Sequence, residues 1–460
     1  MRGLRKRFNA LDQRNYILLI GLHVLFGILI WLIPGFSRVY FLGMVGYFFI
    51  RIFSAPQKHK FREILFASVY VIASEVLFRM TFGTIFYEAS KYLIIVYATI
   101  GMFSLGISGR SYPYFIYLVL LIPSIVVAAI NISYTANFRT NIAFVLSGPV
   151  CLGMAALFFF NKKVLMKDLI DALKYISFPI ISMTTYLFLY TPTIRNVLRG
   201  TESNFATSGG FGPNQVASIL GLGMFALAVR IFMKSPSLFL KLFNLVILGA
   251  ISFRAIVTFS RGGVLSAMVM IFAFLVIYYF NSSRRQKKTL LSSFVLFCII
   301  GIATWTISSS QTGGLIDKRY ANQDKLGKEK KDLSTGRIDL FVDDLDGFLS
   351  NPFVGVGASG AKELRIKNNQ GVKTSHNEIS RLLSEHGMFA IFILLILIFK
   401  PLVFRIQNKR NYFFYAFLVF WFATINHSAM RIAAPALVYS LSLLNVVHEK
   451  RPVYRKLSKE

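Results

Sequence analysis

Three short stretches of this chain concentrate residue types suited to holding an anion. Thr258-Phe259-Ser260-Arg261-Gly262-Gly263 sets an arginine and two glycines between the apolar runs 238–257 and 264–280. An arginine costs roughly 2.5–3.5 kcal/mol at the centre of a membrane helix, so one kept at a junction implies a helix end, a pocket or a task. Ser208-Gly209-Gly210-Phe211-Gly212-Pro213-Asn214-Gln215 opens another apolar run, with Pro213 suited to the first turn of a helix. Ser375-His376-Asn377-Glu378 opens a third helical stretch, where Ile379, Leu382, Leu383 and His386 keep helical spacing. Each junction presents a helix N-terminus, whose free N–H groups and positive dipole end favour anions. Arg254, seven residues before Arg261 on the same helical face, is a second candidate cation. Gly209, Gly210, Gly212, Asn214, Ser260, Gly262, Gly263 and Asn377 are candidates for shaping the site. His376 and Glu378 are candidate general bases. His427 and Arg431 form a secondary candidate pair at another junction.

Plainer readings compete. Ser375 and Glu378 have the spacing of a capping box. The glycine run reads as a turn, and Arg261 as a side chain snorkelling to headgroups. Glu75 and Arg79, four apart within an apolar run, read as a structural pair. No metal-ligand spacing and no nucleotide-binding loop is present, so no metal or cofactor is expected and any donor arrives through the membrane. Cys151 and Cys298 lie in apolar runs and read as small hydrophobes.

The elements that must position these residues are membrane helices. The 460 residues are 55% hydrophobic and 15% charged, outside the soluble range. Apolar runs fall at 16–33, 39–53, 64–82, 92–105, 114–130, 142–160, 169–190, 215–233, 238–257, 264–280, 290–308, 388–404, 412–425 and 433–447. The pattern predicts an all-α polytopic integral membrane protein with about 12–14 transmembrane helices. The first run lacks a cleavage site and is expected to be retained. Lys and Arg number 51 against 20 Asp and Glu, a net charge of +31. Positive-inside loops explain that excess, and nucleic acid is not an expected partner. The loop asymmetry, roughly three- to fourfold, predicts cytoplasmic termini and an outward-facing Arg261. The segment 311–375 is then a long outer loop: 317–334 is expected to be charged and mobile, and 336–349 a short amphipathic helix over the membrane face. The chain divides into N-terminal helices at 1–190, central helices at 191–310, the loop at 311–375, and C-terminal helices with a basic tail at 376–460.

The three junctions, with Gly336-Arg337, Asn351-Pro352-Phe353-Val354-Gly355-Val356-Gly357 and Ser384-Glu385-His386-Gly387 in the same order, resemble the O-antigen ligase and polymerase superfamily over roughly 209–404. The resemblance implies a metal-independent GT-C-type glycosyltransferase of the bacterial inner membrane. Its donor would be an undecaprenyl-pyrophosphate-linked glycan, and its acceptor lipid A-core or another glycan. By motif match Arg261 would bind the pyrophosphate, Arg337 would be a second phosphate or glycan contact, and His376 would position or activate the acceptor hydroxyl. A retaining reaction wants two carboxylates about 5 Å apart, and no convincing pair is present, so one inverting displacement is expected. Ligase and polymerase share these motifs; ligase is narrowly preferred. A lipid-linked oligosaccharide flippase or other transporter needs polar residues through a central path, whereas here they cluster at one face.

Overall fold

In a bilayer, backbone N–H and C=O groups find partners only within their own segment, so runs of Leu, Ile, Phe and Val of this length are helical. The computed structural model describes residues 2–131, 138–330, 336–367 and 374–449. The N-terminal helices are α1 Arg2–Leu32, α2 Phe36–Ser54, α3 Gln57–Met80, α4 Ala89–Leu105, α5 Tyr112–Leu120, α6 Ile122–Asn131, α7 Phe138–Phe159 and α8 Met166–Tyr190. The central helices are α9 Pro213–Met233, α10 Leu238–Ile256, α11 Arg261–Phe280 and α12 Arg284–Thr312. The long loop carries α13 Leu315–Tyr320, α14 Arg337–Ser350 and α15 Gly360–Lys367, and the chain continues through α16 Glu378–His386, α17 Met388–Gln407, α18 Phe414–Ser428 and α19 Ala434–Ser442. Two three-residue strands, β1 Lys163–Leu165 and β2 Asn445–Val447, pair in parallel with Lys163 opposite Asn445.

Among the described residues ten helical segments are long and apolar enough to cross a membrane. The molecule is an all-α polytopic membrane protein. The apolar runs of the sequence form helices, although the run 433–447 ends in β2, and the expected 12–14 spans are not all full length. Helix α4 is a shorter apolar helix, and α18 and α19 run for only 15 and 9 residues. Helix α3 carries Glu63, Glu75 and Arg79 and is buried throughout its second half.

Helix α9 is the axis of the bundle and packs against α8, α10 and α11. Small residues set that approach: a Cβ on Gly263 would lie 2.4 Å from the Ala217 carbonyl carbon, and one on Gly221 would lie 2.6 Å from the Gly263 oxygen. Helix α19 packs on α7 and α3, so the first and last segments of the chain share one core. The N-termini of α9, α11 and α16 gather at one end, the motif end. At the opposite, basic end β1 meets β2, and Lys162 Nζ donates to the Leu105 and Gly106 carbonyls at 2.9 and 2.8 Å.

The loop at the motif end departs from expectation. The described part of 317–334 is folded rather than loose: Trp305 Nε1 donates to Asp317 Oδ1 at 3.0 Å, and Gln323 bridges Glu329. Residues 331–335, and the basic tail from 450, lie outside the described residues. Helix α14 is amphipathic as predicted, but it turns its polar side inward. Asp344 and Gly347 are buried against α16, and Ile338, Phe341 and Leu349 are exposed. Gly355, with a φ of 72°, takes a conformation that a side chain would strain, and a Cβ there would meet the Glu385 carbonyl. Val356 N–H and Gly357 N–H then donate to the Ser384 and Glu385 carbonyls, clamping the loop to α16.

Candidate functional site

The turn from α10 to α11 aims Arg261. Phe259 holds a φ of 59°, uncommon for a bulky residue, and is fully buried against Ile256 and Ile316. Thr258 Oγ1 donates to the Ala255 carbonyl at 2.7 Å and accepts from Ser260 N–H at 3.2 Å. Ser260 Oγ donates to Asn214 Oδ1 at 2.7 Å, joining the starts of α9 and α11. The motif glycines serve helix packing: Gly263 lies on Ala217, and a Cβ on Gly262 would strike the His427 ring at 2.7 Å. Gly209 and Gly210 take positive φ in the turn before α9, and Gly212 caps that helix.

Arg261 is the first residue of α11, and its Nη1 donates to Asn322 Oδ1 and to the Arg319 carbonyl at 3.3 Å. Arg319, 8% exposed, donates from Nε to the Phe259 carbonyl at 3.2 Å. Burial and the guanidinium groups of Arg261 and Arg337 hold Arg319 below the ordinary arginine pKa. Arg337 starts α14 and is likewise lowered by burial and by Arg261. Arg431 Nη2 donates to Thr374 Oγ1 at 2.7 Å and to the Ser375 carbonyl at 3.2 Å. Among the described residues none of these four arginines forms an ion pair. Glu202 acts on Arg319 and Glu378 on Arg431 only at longer range, so the cluster keeps an excess of positive charge of the kind that attracts anions.

His376 stands in the same field. Burial lowers its pKa to about 4, with Arg431 and Arg337 the next causes, so the imidazole is neutral at neutral pH. Its Nδ1 is buried without a hydrogen-bond partner. The segment is anchored on both sides: Ala429 N–H donates to the His376 carbonyl at 3.0 Å, and Asn377 Nδ2 donates to Asn426 Oδ1 at 3.0 Å. Asn377, not Ser375, caps α16, accepting from Ile379 and Ser380 N–H at 2.8 and 3.2 Å. The capping box read from Ser375 and Glu378 does not form. Ser375 Oγ donates instead to Asp344 Oδ1 at 2.8 Å.

Glu378 differs from His376 in being fully engaged. Arg381 donates to both of its carboxylate oxygens, and Met430 N–H to Oε2 at 3.3 Å. Arg381 also binds Glu385 at 2.5 Å. His427 is engaged too: Nδ1 pairs with the Ala423 carbonyl at 2.8 Å and Nε2 with Ser218 Oγ at 3.2 Å. Arg254 is fully buried and donates to the carbonyls of Thr191 and Thr207 at 3.4 and 2.9 Å. The geometry therefore gives Arg254 to the loop ahead of α9 and brings Arg261, Arg337, Arg431 and His376 together. Arg319 and Asn322 were missed because they sit in a stretch whose charge suggested mobility. Leu315 and Ile316 just before that stretch and Tyr320 within it, all apolar, were the available signal.

Two cavities flank this cluster. One, about 280 Å³, is lined by Asn141, Lys362, Thr374, Glu378, Glu385 and Arg431. The other, about 610 Å³, is an apolar groove that starts at Gly262 and His427 and follows α11, α17 and α18 away from the motif end.

No curated protein matches the chain. Residues 245–395 match the family model described as O-antigen ligase, a segment that runs from within α10, across Arg261, Arg319, Arg337 and His376, into α17. With the arginine cluster and His376 inside that match, residues 245–395 of this polytopic membrane chain are similar to the O-antigen ligase family, which supports the O-antigen ligase superfamily.

Proposed function

We propose that the protein transfers a glycan from an undecaprenyl-pyrophosphate-linked donor to an acceptor hydroxyl at the motif end, in an inverting, metal-independent, ligase-type reaction. The motif end then faces outward from the bacterial inner membrane and the basic end faces the cytoplasm, as the charge asymmetry of the loops favours. The observation that carries the reading is the set of Arg261, Arg319, Arg337 and Arg431 without ion-pair partners beside His376, whose Nδ1 is free.

In this reaction the acceptor oxygen forms a bond to the anomeric carbon, and the bond from that carbon to the pyrophosphate oxygen breaks. The electron pair leaves with the pyrophosphate, whose growing charge the guanidinium groups stabilise. The hydroxyl proton passes to His376 Nδ1. A neutral imidazole is the state that accepts it, and the donor's negative charge offsets the arginines that depress its basicity. Glu378 acts by position: its pair with Arg381 and its bond to Met430 N–H hold the start of α16 against the turn after α18. The apolar groove below Gly262 suits the polyprenyl tail, leaving the pyrophosphate at its mouth. Lipid A-core is the favoured acceptor class, and the 280 Å³ cavity on the far side of Arg431 suits part of it.

A repeat-unit polymerase uses the same chemistry with a second lipid-linked glycan as acceptor. The glycan profile of a deletion strain distinguishes the two. Lost attachment with intact lipid-linked polymer supports a ligase; attachment of single repeats supports a polymerase; an unchanged profile defeats both.

A further inference from the structure

We propose a second anion site, at the basic end, that binds the phosphate of an anionic phospholipid headgroup. A cavity of about 500 Å³ lies where α9 and α11 end and α10 and α12 begin. Arg230, Lys234, Lys241 and Arg285 line it, against one acid, Asp171, which already pairs with Lys174 at 3.4 Å. Positive-inside loops explain lysines and arginines in solvent, but they do not explain Arg230. That residue is 7% exposed, forms no ion pair among the described residues, and keeps its Nε buried without a hydrogen-bond partner. A buried charge without a counter-ion is costly, so its retention points to a ligand that supplies one.

The wall behind Arg230 is built to hold it still. The guanidinium carbon lies 3.6 Å from the centre of the Tyr16 ring. Tyr16 OH donates to Asn244 Oδ1 at 2.7 Å, Asn244 Nδ2 to Ser235 Oγ at 3.0 Å, and Ser235 Oγ to the Arg230 carbonyl at 3.0 Å. The two helices that begin here, α10 and α12, add their positive dipole ends, each behind a serine N-cap. The cavity lies where membrane helices end, at the depth of lipid headgroups, and basic pockets between helices at that depth suit phosphate diesters. The site is at the far end of α9 from Asn214 and does not depend on the proposed transfer reaction.

The test uses the full-length protein in detergent, titrated with phosphatidylglycerol, phosphatidylcholine or inorganic phosphate, with bound ligand counted by native mass spectrometry. Phosphatidylglycerol is expected to bind more tightly than phosphatidylcholine. Arg230→Gln is expected to weaken it by at least about tenfold while leaving phosphatidylcholine unchanged. Arg285→Glu, at an exposed position on the rim, is expected to weaken it severalfold and serves if Arg230→Gln does not fold. Equal phosphatidylglycerol binding by the wild type and the variants overturns the site. Millimolar inorganic phosphate bound in place of the lipid overturns the lipid as its source.

Discussion

A buried and a half-buried group of charge at the motif end differ in balance. Within α3, α4 and the turn between them, Glu75, Arg79, Glu88 and Lys91 form a closed set of two acids and two bases. Arg79 meets Glu75 at 2.6 Å and Glu88 at 3.3 Å, and Lys91 meets Glu88 at 2.6 Å. The set is tied to its surroundings as well: Glu75 Oε2 accepts from Ala433 N–H at 2.7 Å, Arg79 Nη1 donates to the Arg431 carbonyl at 2.8 Å, and Lys91 Nζ donates to Ser147 Oγ at 3.0 Å. The other group, Arg261, Arg319, Arg337 and Arg431, forms no ion pair among the described residues, although Glu202 and Glu378 act on it at longer range, and it has His376 at its edge. The first group neutralises itself and holds the Arg431 turn in place. In the proposed function the second meets the donor's negative charge. On that reading the same residue types scaffold in one place and bind in the other because only the first set is ion-paired by its own acids.

That contrast can be broken by experiment. His376→Ala is expected to lower transfer by roughly 10²–10⁴-fold with the protein still folded. Activity within tenfold of wild type would remove His376 from the proton-transfer role. Arg79→Ala strands Glu75 and is expected to cost about 3–5 kcal/mol of stability, seen as a large drop in Tm in detergent. A Tm close to wild type would mean that the closed set is not scaffolding. Arg261→Gln should do the reverse: a loss of roughly 10²–10³-fold in transfer and a stability change within about 0.5 kcal/mol. If it unfolds the protein as Arg79→Ala does, the two regions are not different in kind. The smallest effect is a titration. Free His376 is neutral above a pKa of about 4 and gains its proton only below it. Bound inorganic pyrophosphate adds negative charge beside Arg431 and Arg337, so the NMR midpoint is expected to rise by about one unit or more. A midpoint that stays put would separate His376 from the anion site.

Much of this was legible in the sequence. Arg261, Arg337 and His376 stood out because each sits beside glycine or at a helix start, where short-range rules apply. The pairing of Glu75 with Arg79 was legible because both lie on one helix face. Its extension to Glu88 and Lys91 was not, since that depends on how the α3–α4 turn folds back. Arg254 shared a helical face with the motif, yet its guanidinium answers to the Thr191 and Thr207 carbonyls, which helical spacing does not reveal. The Ser375–Glu378 spacing fitted a capping box, but Asp344 on α14 claims the serine, and Asn377 takes its place as the cap.

The sequence by itself determined the class of molecule: apolar runs of span length dictate helices, because a bilayer offers the backbone no other partners. It also marked the junctions proposed to carry chemistry, because charge beside lipid is costly to keep. Tertiary structure alone decided which charges are neutralised. Whether an arginine is a scaffold or a ligand contact depends on the acid or carbonyl that a distant segment brings within about 3 Å. Arg261 reaches the Arg319 carbonyl where Asp317 bonds Trp305 at the start of α13, and Arg230 lines a cavity whose one acid, Asp171, already pairs with Lys174.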